Sequence, residues 1–171
     1  MAIVNYKFEM KFLDGLFKAK DNLINMSYYL IHQAQKQEIN DITNLKLQKL
    51  IFYSYAHYLV QHKNKKTLFD YSIEAWPYGP VIPTLYFLFR GNQGKPINKE
   101  HINAYINTNQ IIGKDSIDYI LAKYGKKTGI ELTDKTHSED PWINAWRLNQ
   151  RFEERIIERD HIYEYYKINK L

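Results

Sequence analysis

A mainly α-helical single domain carrying a small β element is the fold class this sequence predicts. Three observations predict it. Apolar residues recur at spacings of three and four through most of the chain, and period-two alternation is confined to two short stretches. The 171 residues also contain no internal repeat, long linker or low-complexity tract, so they fit one unit. A chain of this length can bury roughly 70% of its unfolded surface, enough for a core without metals or disulfides.

The elements follow in chain order. Tyr6, Phe8, Met10 and Phe12 alternate with Lys7, Glu9 and Lys11, the pattern of a strand with one buried face, which Gly15 ends. A lone strand is not stable, so this one needs the domain's own sheet edge, a symmetry mate or another protein. From Asp21 onward, Leu23, Met26, Leu30 and Ala34 share a helix face, with Asp21 or Asn22 as cap. Thr43 caps the next helix, whose Leu47, Leu50, Ile51, Tyr55, Tyr58 and Leu59 make the most regular apolar stripe in the chain. After a polar turn at residues 63–66, Phe69, Tyr71, Ile73 and Ala75 alternate with Asp70, Ser72 and Glu74 as a second strand, which Pro77, Gly79 and Pro80 stop. Pro80 and Pro83 suit the first turn of a helix with Val81, Leu85, Leu88 and Phe89 on its apolar side and Gly91 at its end. Residues 96–106 begin extended and turn helical after Asn98. Ser116 then caps a short helix with Ile117, Ile120, Leu121 and Tyr124 inward and Gly125 at its end. A polar loop follows. Asp140 and Pro141 open a helix with Trp142, Ala145 and Trp146, and a last helix spans about residues 160–167.

Composition narrows the function classes. Hydrophobic residues are 44% and charged residues 25% of the chain, which excludes disorder for most of it. The absence of cysteine excludes disulfides, zinc thiolate sites, iron–sulfur clusters and thiol nucleophiles. The first twelve residues lack the basic start and apolar run of a secretory signal, and the longest uncharged runs, Leu50 to His62 and Ala75 to Phe89, are too short to span a bilayer. A cytoplasmic protein without a membrane segment is expected. Net charge is +5, but residues 1–85 carry ten basic and seven acidic side chains and residues 86–171 carry fourteen and twelve. An excess spread this evenly is not the stripe that captures phosphates, so nucleic acid is not an expected partner.

No constellation reads as a catalytic centre. The most polar cluster is Thr136-His137-Ser138-Glu139-Asp140; its His-x-Glu opens a zinc deaminase signature, but the cysteines that complete one are missing. His137 and Glu139 have the chemistry of an acid/base pair for a small hydrolase, yet no nucleophile elbow, phosphate loop or metal helix accompanies them. The simpler reading is a turn ahead of Trp142 in which Thr136, His137 and Asp140 bond the backbone. Gly91-Asn92-Gln93-Gly94 between Arg90 and Lys95 matches the clamp of a KH-type RNA module in only four residues, and a glycine helix stop plus turn explains it without nucleic acid. His57 and His62 are five residues apart, off the spacing that puts two ligands on one helix face, so neither a metal nor a cofactor is expected. Trp76, Tyr78, Trp142 and Trp146 suit a core and a protein interface, since a base-stacking RNA-binding module would need a basic groove beside them.

Three blocks taken together carry a resemblance: Lys46-Leu47-Gln48-Lys49-Leu50, Glu74-Ala75-Trp76-Pro77-Tyr78-Gly79-Pro80-Val81, and Thr136-His137-Ser138-Glu139-Asp140-Pro141-Trp142. In order and spacing they resemble the Panacea domain, the SocA-like antitoxin family, over about residues 22–166. Lys46, Gln48, Lys49, Trp76, Tyr78, Gly79, Pro80, Thr136, His137, Glu139, Pro141 and Trp142 are the matching positions, structural or partner-binding. The resemblance implies a helical domain of bacteria and their phages at residues 21–171, not an enzyme, that neutralises a protein toxin encoded beside it by direct binding. It also implies an alternative, an adaptor that delivers the toxin to a protease, which adds a protease or chaperone as a candidate partner. A second copy of the chain is left open.

Residues 1–20 precede the shared region as an N-terminal extension. Their strand pattern makes Tyr6, Phe8, Met10 and Phe12 candidates for the toxin contact, because a strand added to a partner's edge supplies backbone hydrogen bonds while alternate side chains fill pockets. Closing the domain's own sheet is the competing role. Deleting residues 1–15 separates the two. The expected product is soluble, melts cooperatively and no longer neutralises its toxin, whereas aggregation of the truncated chain places the strand in the core.

Overall fold

Thr43 is extended (φ −81°, ψ 168°) and its Oγ1 accepts the Lys46 amide at 3.2 Å, so the longest helix starts where its capping residue dictates. That helix, α2 (Asn44–Gln61), is buried on nearly every side. The stripe of Leu47, Leu50, Ile51, Tyr55, Tyr58 and Leu59 fills one face, and Lys46, Gln48, Lys49, Phe52 and Tyr53 are buried on the others.

The computed structural model describes residues 22–97, 111–148 and 155–171. Among the described residues there are seven α-helices and one two-stranded antiparallel sheet. α1 (Asn22–Lys36) precedes α2. The hairpin strands β1 (Glu74–Trp76) and β2 (Gly79–Val81) follow, then α3 (Pro83–Phe89) with a 3₁₀ turn at Arg90–Asn92, α4 (Lys114–Tyr124), α5 (Gly129–His137), α6 (Asp140–Leu148) and α7 (Arg159–Ile168). Helices α1, α4, α5 and α7 pack around α2, and the hairpin lies against α2, α5 and α6. The architecture is thus mainly helical with a small β element. No helix among the described residues is long and apolar enough to cross a membrane.

Several elements differ from the sequence expectation. The strand expected from Phe69 to Ala75 is paired only at its end. Leu68, Phe69 and Ile73 are buried and Asp70 and Ser72 exposed, so the alternation is real, but pairing starts only where residues 155–157 arrive. There the Ile157 amide donates to the Ile73 carbonyl at 2.7 Å and the Ala75 amide to the Arg155 carbonyl at 2.8 Å. Pro77, Gly79 and Pro80 do not end the β structure; they turn it. Pro77 and Tyr78 form the loop, Trp76 pairs with Gly79, and Val81 is in β2 rather than on the following helix, which begins at Pro83. Pro80 fits a strand because it sits opposite Ala75, whose own amide points away from β2 to Arg155; the missing Pro80 N–H is one that would point outward as well.

Gly91 falls inside the 3₁₀ turn, and the left-handed residues that redirect the chain are Gln93 and Gly94. α4 is led by Gly113 in the left-handed region (φ 87°) and starts two residues before Ser116, whose hydroxyl lies 2.9 Å from His57 Nδ1 instead of capping. The polar loop expected after Gly125 contains α5. Thr128 and Glu131 make a reciprocal capping box at its start, and Leu132, Thr133 and Thr136 face inward. Asp140 is the first residue of α6 and not its cap. The Tyr6–Phe12 strand, the Asp21 cap and residues 98–106 lie outside the described residues.

Gly79 shows how tightly the turn is built. Its φ is +95°, and a Cβ there would sit 2.6 Å from Thr136 Oγ1 and 2.8 Å from Lys49 Cε, both on buried side chains. Gly79→Val combines left-handed strain with overpacking and is expected to cost at least about 3 kcal/mol, a Tm drop of roughly 6–12 °C by thermal melting. Unchanged melting would show a permissive position.

Candidate functional site

The hairpin backbone is bonded by side chains from distant parts of the chain. From α2, Lys49 Nζ donates to the Pro80 carbonyl at 2.9 Å, and Gln48 Oε1 accepts the Ile82 amide at 2.9 Å. These two groups stand where a neighbouring strand would run along β2. Gln48 is aimed by its own amide, which donates to Asn44 Oδ1 at 3.2 Å, while Asn44 Nδ2 donates to the Tyr86 carbonyl at 3.0 Å. From α5, Thr133 Oγ1 donates to the Tyr78 carbonyl at 3.3 Å. From α6, Trp142 Nε1 donates to the Trp76 carbonyl at 3.0 Å. Carbonyls 76, 78 and 80 are therefore each met by a side chain from another element, which satisfies a turn that buried neighbours shield from water.

Burial sets the electrostatics. Lys49 is fully buried, and among the described residues no carboxylate pairs with it; desolvation pulls its pKa from 10.5 down to about 7. Lys46, one turn earlier and also buried, is paired instead: its Nζ donates to Asp41 Oδ1 at 2.5 Å and to the Gly125 carbonyl at 2.7 Å, tying the start of α2 to the end of α4. Burial, and next the nearby Lys49, lowers the His137 pKa below 6.5, which keeps its ring neutral at pH 7. That ring stacks on Trp142 at 4.0 Å between centroids, and Trp142 stacks on Trp146 at 5.2 Å.

Glu139, only 4% exposed, holds the turn between α5 and α6. Its carboxylate accepts from Tyr53 at 2.9 Å and Tyr166 at 2.6 Å and pairs with Lys135 at 2.8 Å. Burial raises the pKa of both phenols, and the carboxylate raises them further, so they remain donors. Burial would lower the Lys135 pKa; the hydrogen bond and charge of Glu139 outweigh it and leave it raised.

All three blocks thus meet at one hairpin. Lys49, Gln48, Trp76, Gly79, Pro80, Thr136, His137 and Trp142 are brought together there, Pro141 is buried in the first turn of α6, and Lys46 and Glu139 brace the helices around them. The turn reading of residues 136–140 needs amending, because Thr136 and His137 are helical and the turn is Ser138–Glu139; Thr136 Oγ1 donates to the Thr133 carbonyl at 2.8 Å. Tyr6, Phe8, Met10 and Phe12 lie outside the described residues.

Tyr86 and Phe87 belong to no motif in the sequence. They are 36% and 51% exposed, and Tyr78 at the hairpin turn is 66% exposed. Trp76 packs on Tyr86 at 5.0 Å, Tyr86 on Phe87 at 5.5 Å, and the Arg90 guanidinium lies 5.5 Å from the Phe87 ring. Trp76, Tyr86 and Phe87 form an aromatic ledge beside the hairpin, and Tyr78 is exposed at the hairpin's turn. The available signal was that both follow Leu85 off the Leu85–Leu88–Phe89 face of their helix. Nothing in the sequence marked Tyr53, Tyr166 and Lys135 as partners of Glu139.

The sequence model of the antitoxin SocA-like, Panacea domain family matches residues 47–143, from α2 through the hairpin to the first turn of α6. The chain belongs to this Panacea family. Antitoxin SocA of Caulobacter vibrioides is 30% identical over 115 residues, 59% of this chain and 58% of that protein, so the match spans somewhat over half of each. No solved structure matches the chain. The matched stretch contains almost all of the three blocks and excludes residues 1–20. Among the described residues no group of three or more His, Asp or Glu side chains gathers that could hold a metal ion.

The Glu139 cluster allows a graded test. Glu139→Leu strands two phenols and an ammonium and is expected to cost about 3–5 kcal/mol in urea unfolding. Glu139→Gln keeps an acceptor and is expected to cost about 1–3 kcal/mol. Equal losses would show that the carboxylate's charge contributes nothing.

Proposed function

We propose that the chain is the antitoxin of a bacterial or phage toxin–antitoxin pair and neutralises a protein toxin encoded beside it by binding it directly, in the cytoplasm, without catalysis. The observation that carries this reading is the placement of the aromatic ledge on the hairpin where the three Panacea blocks converge. Exposed tyrosine, tryptophan and phenylalanine on a rigid support are the side chains that dominate protein–protein binding energy. Tyr78, Tyr86 and Phe87 are the contacts this reading assigns to the toxin, and Tyr6, Phe8, Met10 and Phe12 of the extension are proposed as a second contact.

The non-catalytic part has its own support. An acid/base pair must present itself to a substrate, whereas Glu139 is buried and occupied by Tyr53, Tyr166 and Lys135, and His137 is stacked on Trp142. The adaptor alternative differs in what becomes of the toxin, since delivery to a protease lowers its amount while direct blocking does not.

Co-expression with each neighbouring reading frame, scored for growth arrest and rescue, identifies the partner. The double variant Tyr78→Ser/Phe87→Ser removes exposed rings only, so its melting should stay within about 1 kcal/mol of the parent, while toxin binding weakens at least about tenfold and rescue is lost. A folded double variant that rescues as well as the parent rules out the ledge as the contact. Toxin abundance during rescue, unchanged on the blocking reading, separates it from delivery.

A further inference from the structure

Two lysines one turn apart on α2 are both buried and are treated differently. Lys46 has the Asp41 carboxylate and the Gly125 carbonyl. Lys49 has one carbonyl, that of Pro80 at 2.9 Å, and no ion pair among the described residues. The β2 backbone lies directly on it, because a Cβ on Gly79 would be 2.8 Å from its Cε and 3.2 Å from its Nζ. Thr136 Oγ1 closes the same space. An ammonium enclosed with a single carbonyl carries a large desolvation cost, while an amine in the same place donates its hydrogen bond at little cost.

The groups around Lys49 offer no compensating charge. β2 has no titratable residue. On α5, His137 is the group coupled to Lys49; Lys135 is bound to Glu139 and Glu131 to its own capping box. Asp134 acts on His137. On α2 itself, Lys46 is engaged with Asp41, and Tyr53 donates to Glu139.

We propose that Lys49 is a positioning residue for the partner surface: as an uncharged amine it latches the hairpin, and with it Trp76, Tyr78 and the ledge, onto α2, and taking up a proton loosens that hold. The part that concerns a partner rests on the antitoxin reading above, and the part that concerns the hairpin does not. The sign follows from where the proton binds. The unfolded chain protonates Lys49 below about 10.5 and the folded chain only below about 7, so its contribution is full above pH 10.5, declines as pH falls, and is gone at about pH 7. Between those limits each pH unit shifts the unfolding equilibrium about tenfold through this one group.

The test compares the parent with Lys49→Met, an uncharged side chain of similar length. Urea unfolding from pH 7 to pH 9.5 should show the parent gaining stability by about tenfold in the unfolding constant per pH unit relative to Lys49→Met. Parallel profiles overturn the latch. Should Lys49→Met not fold, NMR of ¹³Cε-labelled lysine in the parent decides: a Lys49 midpoint near pH 7 supports an uncharged amine, and one above pH 10 overturns it. With the toxin identified by co-expression, its affinity for the parent should fall at least threefold from pH 8.5 to pH 7 relative to Lys49→Met. An affinity ratio that does not move, with the stability profile as expected, overturns the positioning role and leaves the antitoxin reading intact; no toxin among the neighbouring frames overturns that reading and leaves the latch.

Discussion

Side chains bonded to the backbone of one short hairpin organise this domain. Two strands of three residues cannot hold together in water by themselves, and here neither edge is left to do so. Residues 155–157 pair with β1, and Lys49 and Gln48 stand in for a strand along β2. Thr133 and Trp142 take the Tyr78 and Trp76 carbonyls. Because these donors come from α2, α5 and α6, the hairpin fixes how three helices sit relative to one another. Gly79 has no room for a side chain, and α5 and α6 must meet at a turn whose only buried carboxylate, Glu139, is tied to α2 and α7.

Much of the helical frame was legible from periodicity. The Thr43 cap, the stripe of α2, the inward face of α4 and the last helix follow from residue spacing, because those helices bury an apolar side in the ordinary way. What stayed hidden depends on polar groups. The burial of Lys46, Gln48 and Lys49 is not legible from spacing, since periodicity registers apolar stripes and says nothing of a lysine whose acceptor is 31 residues away. α5 was missed for a different reason: its Thr128–Glu131 capping box was present in the sequence, but only one aliphatic side chain, Leu132, turns inward, too few for a helical stripe. Proline and glycine at 77, 79 and 80 suit a stop and a reversal alike by residue type, and only the pairing of Trp76 with Gly79 makes them a reversal. The three blocks were visible as blocks, and their joint purpose required knowing that they touch.

The arrangement has a consequence for recognition. A ledge resting on a hairpin pinned at three carbonyls loses little freedom when a partner docks, so more of the contact energy goes into affinity. The cost falls on the interior, which must keep a lysine, a glutamine and a glutamate satisfied where apolar side chains would pack more simply. Departures of this kind from local rules gather where a protein binds or switches.

A double-mutant cycle between Gln48→Leu and Trp142→Phe, read by urea unfolding, tests the hairpin as the shared hub most directly. The two side chains bond opposite ends of the hairpin, at the Ile82 amide and the Trp76 carbonyl. If their frame is one unit, the first loss frees the hairpin and the second costs less, giving a coupling of at least about 1 kcal/mol. Losses that add to within about 0.5 kcal/mol would contradict it, showing that each helix holds its own strand independently.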